Sequence, residues 1–135
     1  MTLSEVISFA DSVKPNAFTN AQKTLWISEA EGMVQSDVLL MAPQEITVYD
    51  YDEDGDTELL VLPPYDKLYR SYLIAMIDFY NGEYDNYQNT MTLFNEQLGE
   101  FVKWFARNYR PADVHPPMYM NLALDEEDVE EESNG

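Results

Sequence analysis

The chain has 135 residues, enough for one domain with a real core, and 45% hydrophobic residues with 13% aromatics rule out wholesale disorder. It has no cysteine and one histidine, which excludes a disulfide scaffold, a thiolate metal site and a cysteine nucleophile. Seven basic residues against 26 acidic ones give a net charge of −19, which argues against binding nucleic-acid phosphates or an anionic membrane.

Residues 2–13 open the chain as an amphipathic helix. Leu3, Val6, Ile7, Ala10 and Val13 recur at helical spacing, with Thr2 or Ser4 as the cap. Glu5, Asp11 and the lack of a basic start do not read as a secretion leader, so a soluble, intracellularly made protein is expected. Pro15 ends this helix. Thr19-Asn20-Ala21-Gln22 then matches a capping box and starts a second helix, with Trp26, Ala30, Met33, Val34, Val38 and Met41 as its apolar face. Gly32 in its middle costs about 1 kcal/mol relative to Ala, for a close helix approach or through simple tolerance.

Pro43 is the expected end of that helix. Residues 43–64 alternate polar and apolar around the acidic turn Asp50–Asp56, which fits a small β-hairpin or a long extended loop. After Pro63-Pro64 comes the strongest helical period, Tyr65, Leu68, Tyr69, Tyr72, Leu73, Met76, Ile77 and Tyr80, with Gly82 suited to a left-handed cap. Tyr84, Tyr87, Met91, Phe94, Leu98, Phe101 and Phe105 continue as a fourth helix with a heptad seam. The short joint predicts an antiparallel hairpin, with the N-terminal helices laid across it. The fold expected is mainly α, a bundle of about four helices over residues 1–110.

Residues 111–135 read as an extended C-terminal arm. Pro111, Pro116 and Pro117 prevent helix, Met118–Leu124 is apolar, and Asp125–Glu132 carries seven acids. The acidic end reads either as a solvated terminus or as part of an arm that docks Met118–Leu124 on a partner. Without those seven acids the net charge is still −12.

Few residues suggest chemistry. Asp50, Asp52, Asp54, Gly55 and Glu58 imitate the start of a calcium loop, but Val61 occupies the position that needs a bidentate Glu. Tyr49, Tyr51 and Tyr119 lie off the helical seams and suit a subunit contact. Lys103, Arg107 and Arg110 share one outer face, to complement a helix dipole or to meet an acidic neighbour. His115 reads as exposed. No nucleophile motif, phosphate loop or metal-ligand cluster is visible, so no catalytic, cofactor or metal residue is assigned and the chain reads as a non-enzyme.

One resemblance adds to this reading. Thr57-Glu58-Leu59-Leu60-Val61, Pro64-Tyr65-Asp66, Tyr69, Tyr72-Leu73, Ile77-Asp78, Asn81-Gly82-Glu83, Tyr87, Phe94-Asn95, Phe101 and Trp104-Phe105, with Thr24–Glu29 earlier, carry it. Over residues 3–110 the chain resembles head–tail connector (adaptor) proteins of tailed phages and prophages. The resemblance implies a virion neck component made in the bacterial cytoplasm. It would form a ring of about twelve copies with portal and with tail or stopper proteins as partners, and DNA as passing cargo. A tail-completion protein is a neighbouring expectation, and an acidic DNA-mimic inhibitor is the rival from another class. A mimic would displace DNA from a DNA-binding protein at low salt.

Overall fold

A computed structural model describes residues 1–108. Helix α1 (Leu3–Val13) begins at Thr2, whose hydroxyl accepts from the Glu5 N–H while the Glu5 carboxylate accepts from the Thr2 N–H. It buries Leu3, Val6, Ile7 and Ala10; Val13, expected on the same face, lies past the core and is exposed. Helix α2 (Asn20–Met33) is capped reciprocally by Thr19 and Gln22 as the capping box predicts.

The end of α2 departs from expectation. From Val34 to Val38 the helix widens into a π turn, in which the Leu39 N–H bonds back to the Val34 carbonyl. Leu40 then turns left-handed, with φ +58°, so the helix has already ended when Pro43 opens the 3-10 turn Pro43–Glu45. Gly32 meets the connector residue Ile46 and not another helix; a Cβ there would lie 3.4 Å from Ile46 Cγ2.

Among the described residues there is no β-hairpin: residues 46–62 form the extended loop, with a one-turn helix α3 (Tyr51–Asp54) in the acidic stretch. The physical reason is that both arms find partners other than each other. Residues 55–59 bond to the start of the chain, through Leu3 N–H to Thr57, Ser4 N–H to Gly55 and Leu59 N–H to Met1. The other arm is held by side chains of α2 and of the π turn that follows it. Gln35 makes two bonds to Thr47, and the Ser28 hydroxyl accepts the Tyr49 N–H. The alternation itself is kept, since Leu59 and Val61 are buried while Leu60 and Leu62 face out.

Helices α4 (Lys67–Tyr80) and α5 (Tyr84–Asn108) form the antiparallel hairpin. Its joint is a Schellman motif: Gly82, at φ +82°, bonds to the Phe79 carbonyl and Glu83 to that of Asp78. The pivot of the bundle is α4, because α1, α2 and α5 all pack against it. That explains why its buried residues, including Leu68, Tyr69, Tyr72, Leu73, Ala75 and Ile77, run around most of its circumference. Helix α5 buries only Phe94 and Phe101 fully and shows solvent a polar face. Lys14 links the end of α1 to this hairpin, 2.8 Å from the nearly fully buried Asp78 and 2.9 Å from Glu83. Among the described residues no helix is long and apolar enough to cross a membrane.

Candidate interaction surface

Polar residues on α2 create the first surface indirectly. Ser28 and Glu31 of α2 and Gln35 of the π turn follow one another at spacings of three and four, so they make a buried polar stripe along a helix whose Leu25 and Glu29 face solvent. Glu31 is completely buried, and the groups it meets are donors rather than a cation. One oxygen accepts the Tyr49 hydroxyl at 2.7 Å and the Leu60 N–H at 3.0 Å; the other accepts the Tyr69 hydroxyl. Tyr69 in turn accepts the Val61 N–H at 2.9 Å. A buried carboxylate is tolerated here because three donors replace its water. Burial, together with the adjacent Glu31 carboxylate, pushes the Tyr69 and Tyr49 hydroxyls well above the usual tyrosine range. Burial and a bond to Glu29 do the same to Tyr72.

This network pins residues 60 and 61, and strand-like alternation then directs Leu60 and Leu62 outward. With Val34, Leu39, Pro63, Pro64 and Tyr65 they face Phe101, Trp104 and Phe105 of α5 across a groove of about 280 Å³. The polar side-chain groups in its lining are the Tyr65 hydroxyl and the Trp104 indole N–H. Such a groove suits aliphatic or aromatic side chains; its lining residues include no carboxylate, amine or imidazole to move a proton.

A second apolar surface lies at the other end of the hairpin. Trp26 stacks on Tyr80 with centroids 5.2 Å apart, and Phe18 meets both rings edge-on. Phe79 packs against Tyr80, Tyr84 and Tyr87. Phe79, Tyr80 and Tyr84 nevertheless remain 39%, 57% and 58% exposed, so this cluster is ordered yet open to solvent. Tyr80 was expected on the core seam; it lies beyond the last buried turn of α4.

The remaining residues singled out from sequence are dispersed. Asp50 accepts the Glu53 N–H and Asp54 accepts the Asp50 N–H, so these carboxylates cap the short helix α3 instead of converging on a cation. Among the described residues no group of three or more acidic or histidine side chains is arranged to hold a metal ion. Val61, at the twelfth position of the calcium-loop pattern, is fully buried. Tyr49 and Tyr51 pack against the core, Tyr49 with its hydroxyl on Glu31, and are used within the chain. Lys103 and Arg107 lie exposed on the outer side of α5. Arg110, His115, Tyr119, Met118–Leu124 and the acidic end lie outside the described residues. Sequence reasoning missed the Glu31 cluster. The signal for it was there, as the polar stripe 28–31–35, but nothing local showed that this face turns inward. Compared with family models, with curated proteins and with solved structures, the chain matches none.

Proposed function

We propose that the chain is a structural assembly subunit of the head–tail connector kind, which joins copies of itself head to tail into a ring between a portal and a tail component. One observation supports this most directly: two unlike apolar patches lie at opposite ends of the α4–α5 hairpin. The aromatic tip is at the C-terminal end of α4 and the groove at its N-terminal end, so a 14-residue helix, about 20 Å long, separates them. Joining copies through two different patches is what a heterologous interface requires, and such contacts close into rings when the rotation permits. The resemblance of residues 3–110 supplies the expectation of about twelve copies. The exposed acids Asp50, Asp52, Glu53, Asp56 and Glu58 give the ring a surface that repels DNA phosphates, so that a passing genome does not adhere.

Native mass spectrometry and electron microscopy, with the protein alone and mixed with a portal ring from the same genome, test the reading. Closed rings of defined order are expected, and Tyr84→Asp at the tip should abolish them without unfolding the monomer. A chain that stays monomeric at every concentration, with and without portal, overturns it. So does displacement of DNA from a DNA-binding protein at low salt, which would make the chain an acidic inhibitor.

A further inference from the structure

We infer that the outer face of α5 docks on the same face of a second copy of this chain, antiparallel about a two-fold axis. Glu96, Glu100, Lys103 and Arg107 are spaced by four, three and four, so they form one stripe about 17 Å long, turned away from the buried Phe94 and Phe101. All four are exposed, with two acids in one half of the stripe and two bases in the other. Elsewhere the fold uses its bases. Lys14 and Lys23 make ion pairs, and Arg70 lies over the Phe9 ring, 4.4 Å from its centroid. Lys103 and Arg107 make no ion pair among the described residues, and Glu96 and Glu100 make none with Lys67, which borders them across a shallow cleft.

The pattern complements itself in one direction only. Antiparallel copies set Glu96 against Arg107 and Glu100 against Lys103, twice over, because the spacing reads the same from either end. Parallel copies would set like charge on like. The antiparallel contact is isologous and closes at two copies. Gly99 beside the stripe fits this use. A Cβ there would meet nothing within 4 Å, so no neighbour inside the chain requires a glycine in the middle of this helix. With the exposed Ala106 it leaves room for a second helix to come close. A net charge of −19 otherwise keeps copies apart, so a second copy is drawn to where unpaired bases stand. Exposed ion pairs are individually weak, so a reversible dimer with a dissociation constant of order 0.1 mM is expected. The inference does not rest on the assembly reading, whose head-to-tail contact uses the tip and the groove.

The test uses the full chain carrying Tyr84→Asp, which removes the tip contact of the assembly reading. Sedimentation equilibrium from about 1 µM to about 1 mM should show a monomer–dimer equilibrium. Adding Lys103→Glu/Arg107→Glu should weaken it at least about tenfold. Adding Glu96→Lys/Glu100→Lys should weaken it as much, although that change lowers the net negative charge that repels copies. Mixed together, the two double variants should form a heterodimer at least about tenfold tighter than the lysine variant forms with the unaltered stripe. In the chain with the unaltered stripe, dilution should move amide resonances along residues 95–107. A monomer at about 1 mM overturns the inference. So does a dimer that either double variant leaves intact, equal pairing of the lysine variant with both partners, or dilution shifts confined to other elements. Ring formation is measured on the chain with Tyr84 intact, so either reading can fail while the other holds.

Discussion

Replacing Glu31 is the sharpest way to ask what holds residues 46–62 in place. Glu31→Ala removes the acceptor for three donors at once: the Tyr69 and Tyr49 hydroxyls and the Leu60 N–H. Leaving a buried donor unpaired costs about 1–3 kcal/mol. Tyr69 is fully buried and bears the whole cost, whereas Tyr49 and Leu60 are near enough to the surface to recruit water. The expected loss is therefore about 3–5 kcal/mol, a large share of the ~5–15 kcal/mol that stabilises a domain. Glu31→Gln keeps one acceptor oxygen and sheds the buried charge, so about 1–2 kcal/mol is expected. Tyr69→Phe loses both its bond to Glu31 and the acceptor for the Val61 N–H, at about 2 kcal/mol. In the double variant Glu31→Ala/Tyr69→Phe the losses should fall short of their sum by about 1 kcal/mol or more, since both remove one shared bond. Urea unfolding reads these values as shifts in midpoint at constant slope, about 2 M for the alanine variant. A Glu31→Ala shift below about 0.5 M, or strict additivity in the double variant, refutes the reasoning.

Three further outcomes follow from the same structure. Gly32→Ala should stabilise the protein by about 0.5–1 kcal/mol, because a Cβ fits 3.4 Å from Ile46 Cγ2 and the helix gains propensity; a lower melting temperature contradicts this. Lys14→Met should cost about 2–4 kcal/mol by leaving Asp78, nearly fully buried, with only the Thr90 hydroxyl at 3.4 Å; adding Asp78→Asn should restore part of it in thermal melts. The hydrogen bonds and charges of Asp78 and Glu83 outweigh partial burial and hold the Lys14 ammonium above its ordinary value of 10.5, so its contribution is full below that pH and fades only above it. Tyr69, Tyr49 and Tyr72 are also held above the ordinary value of 10.0. Because the unfolded chain ionises these hydroxyls first, stability should fall as pH rises past about 10. Tyrosinate absorbance should then show a late fraction that appears only with the loss of helical circular dichroism; smooth titration of all tyrosines before unfolding would exclude it.

Much of the architecture is carried by local rules, and those rules act within a few residues. The capping boxes at Thr2 and Thr19 and the left-handed Gly82 depend on neighbours in sequence, so the starts of α1 and α2 and the α4–α5 joint are legible without a structure. So is the helical period of residues 65–80, and with it the expectation that α5 and the N-terminal helices pack against this segment, as α1, α2 and α5 do. The alternation of residues 58–62 is legible too, and what it could not convey was the partner. The start of the chain and the side chains of α2 and its π turn, all distant in sequence, capture the two arms that would otherwise have paired with each other.

The candidate surfaces divide along the same line. Phe79, Tyr80, Tyr84 and Tyr87 at the hairpin tip are adjacent in sequence to the turn that presents them, whereas Phe18 and Trp26 reach Tyr80 only through packing. The groove joins residues 34–39, 60–65 and 101–105, and only packing brings those segments together. Glu31 shows the reason most plainly. A glutamate in a helix reads as solvent-facing, because burying its charge is costly unless donors meet it, and its donors come from residues 18, 29 and 38 positions away. Composition and periodicity therefore determined where the four long helices lie and which of their faces are apolar. Which apolar faces are covered, and which polar group the core can accept, was decided by tertiary contacts between residues far apart in the chain.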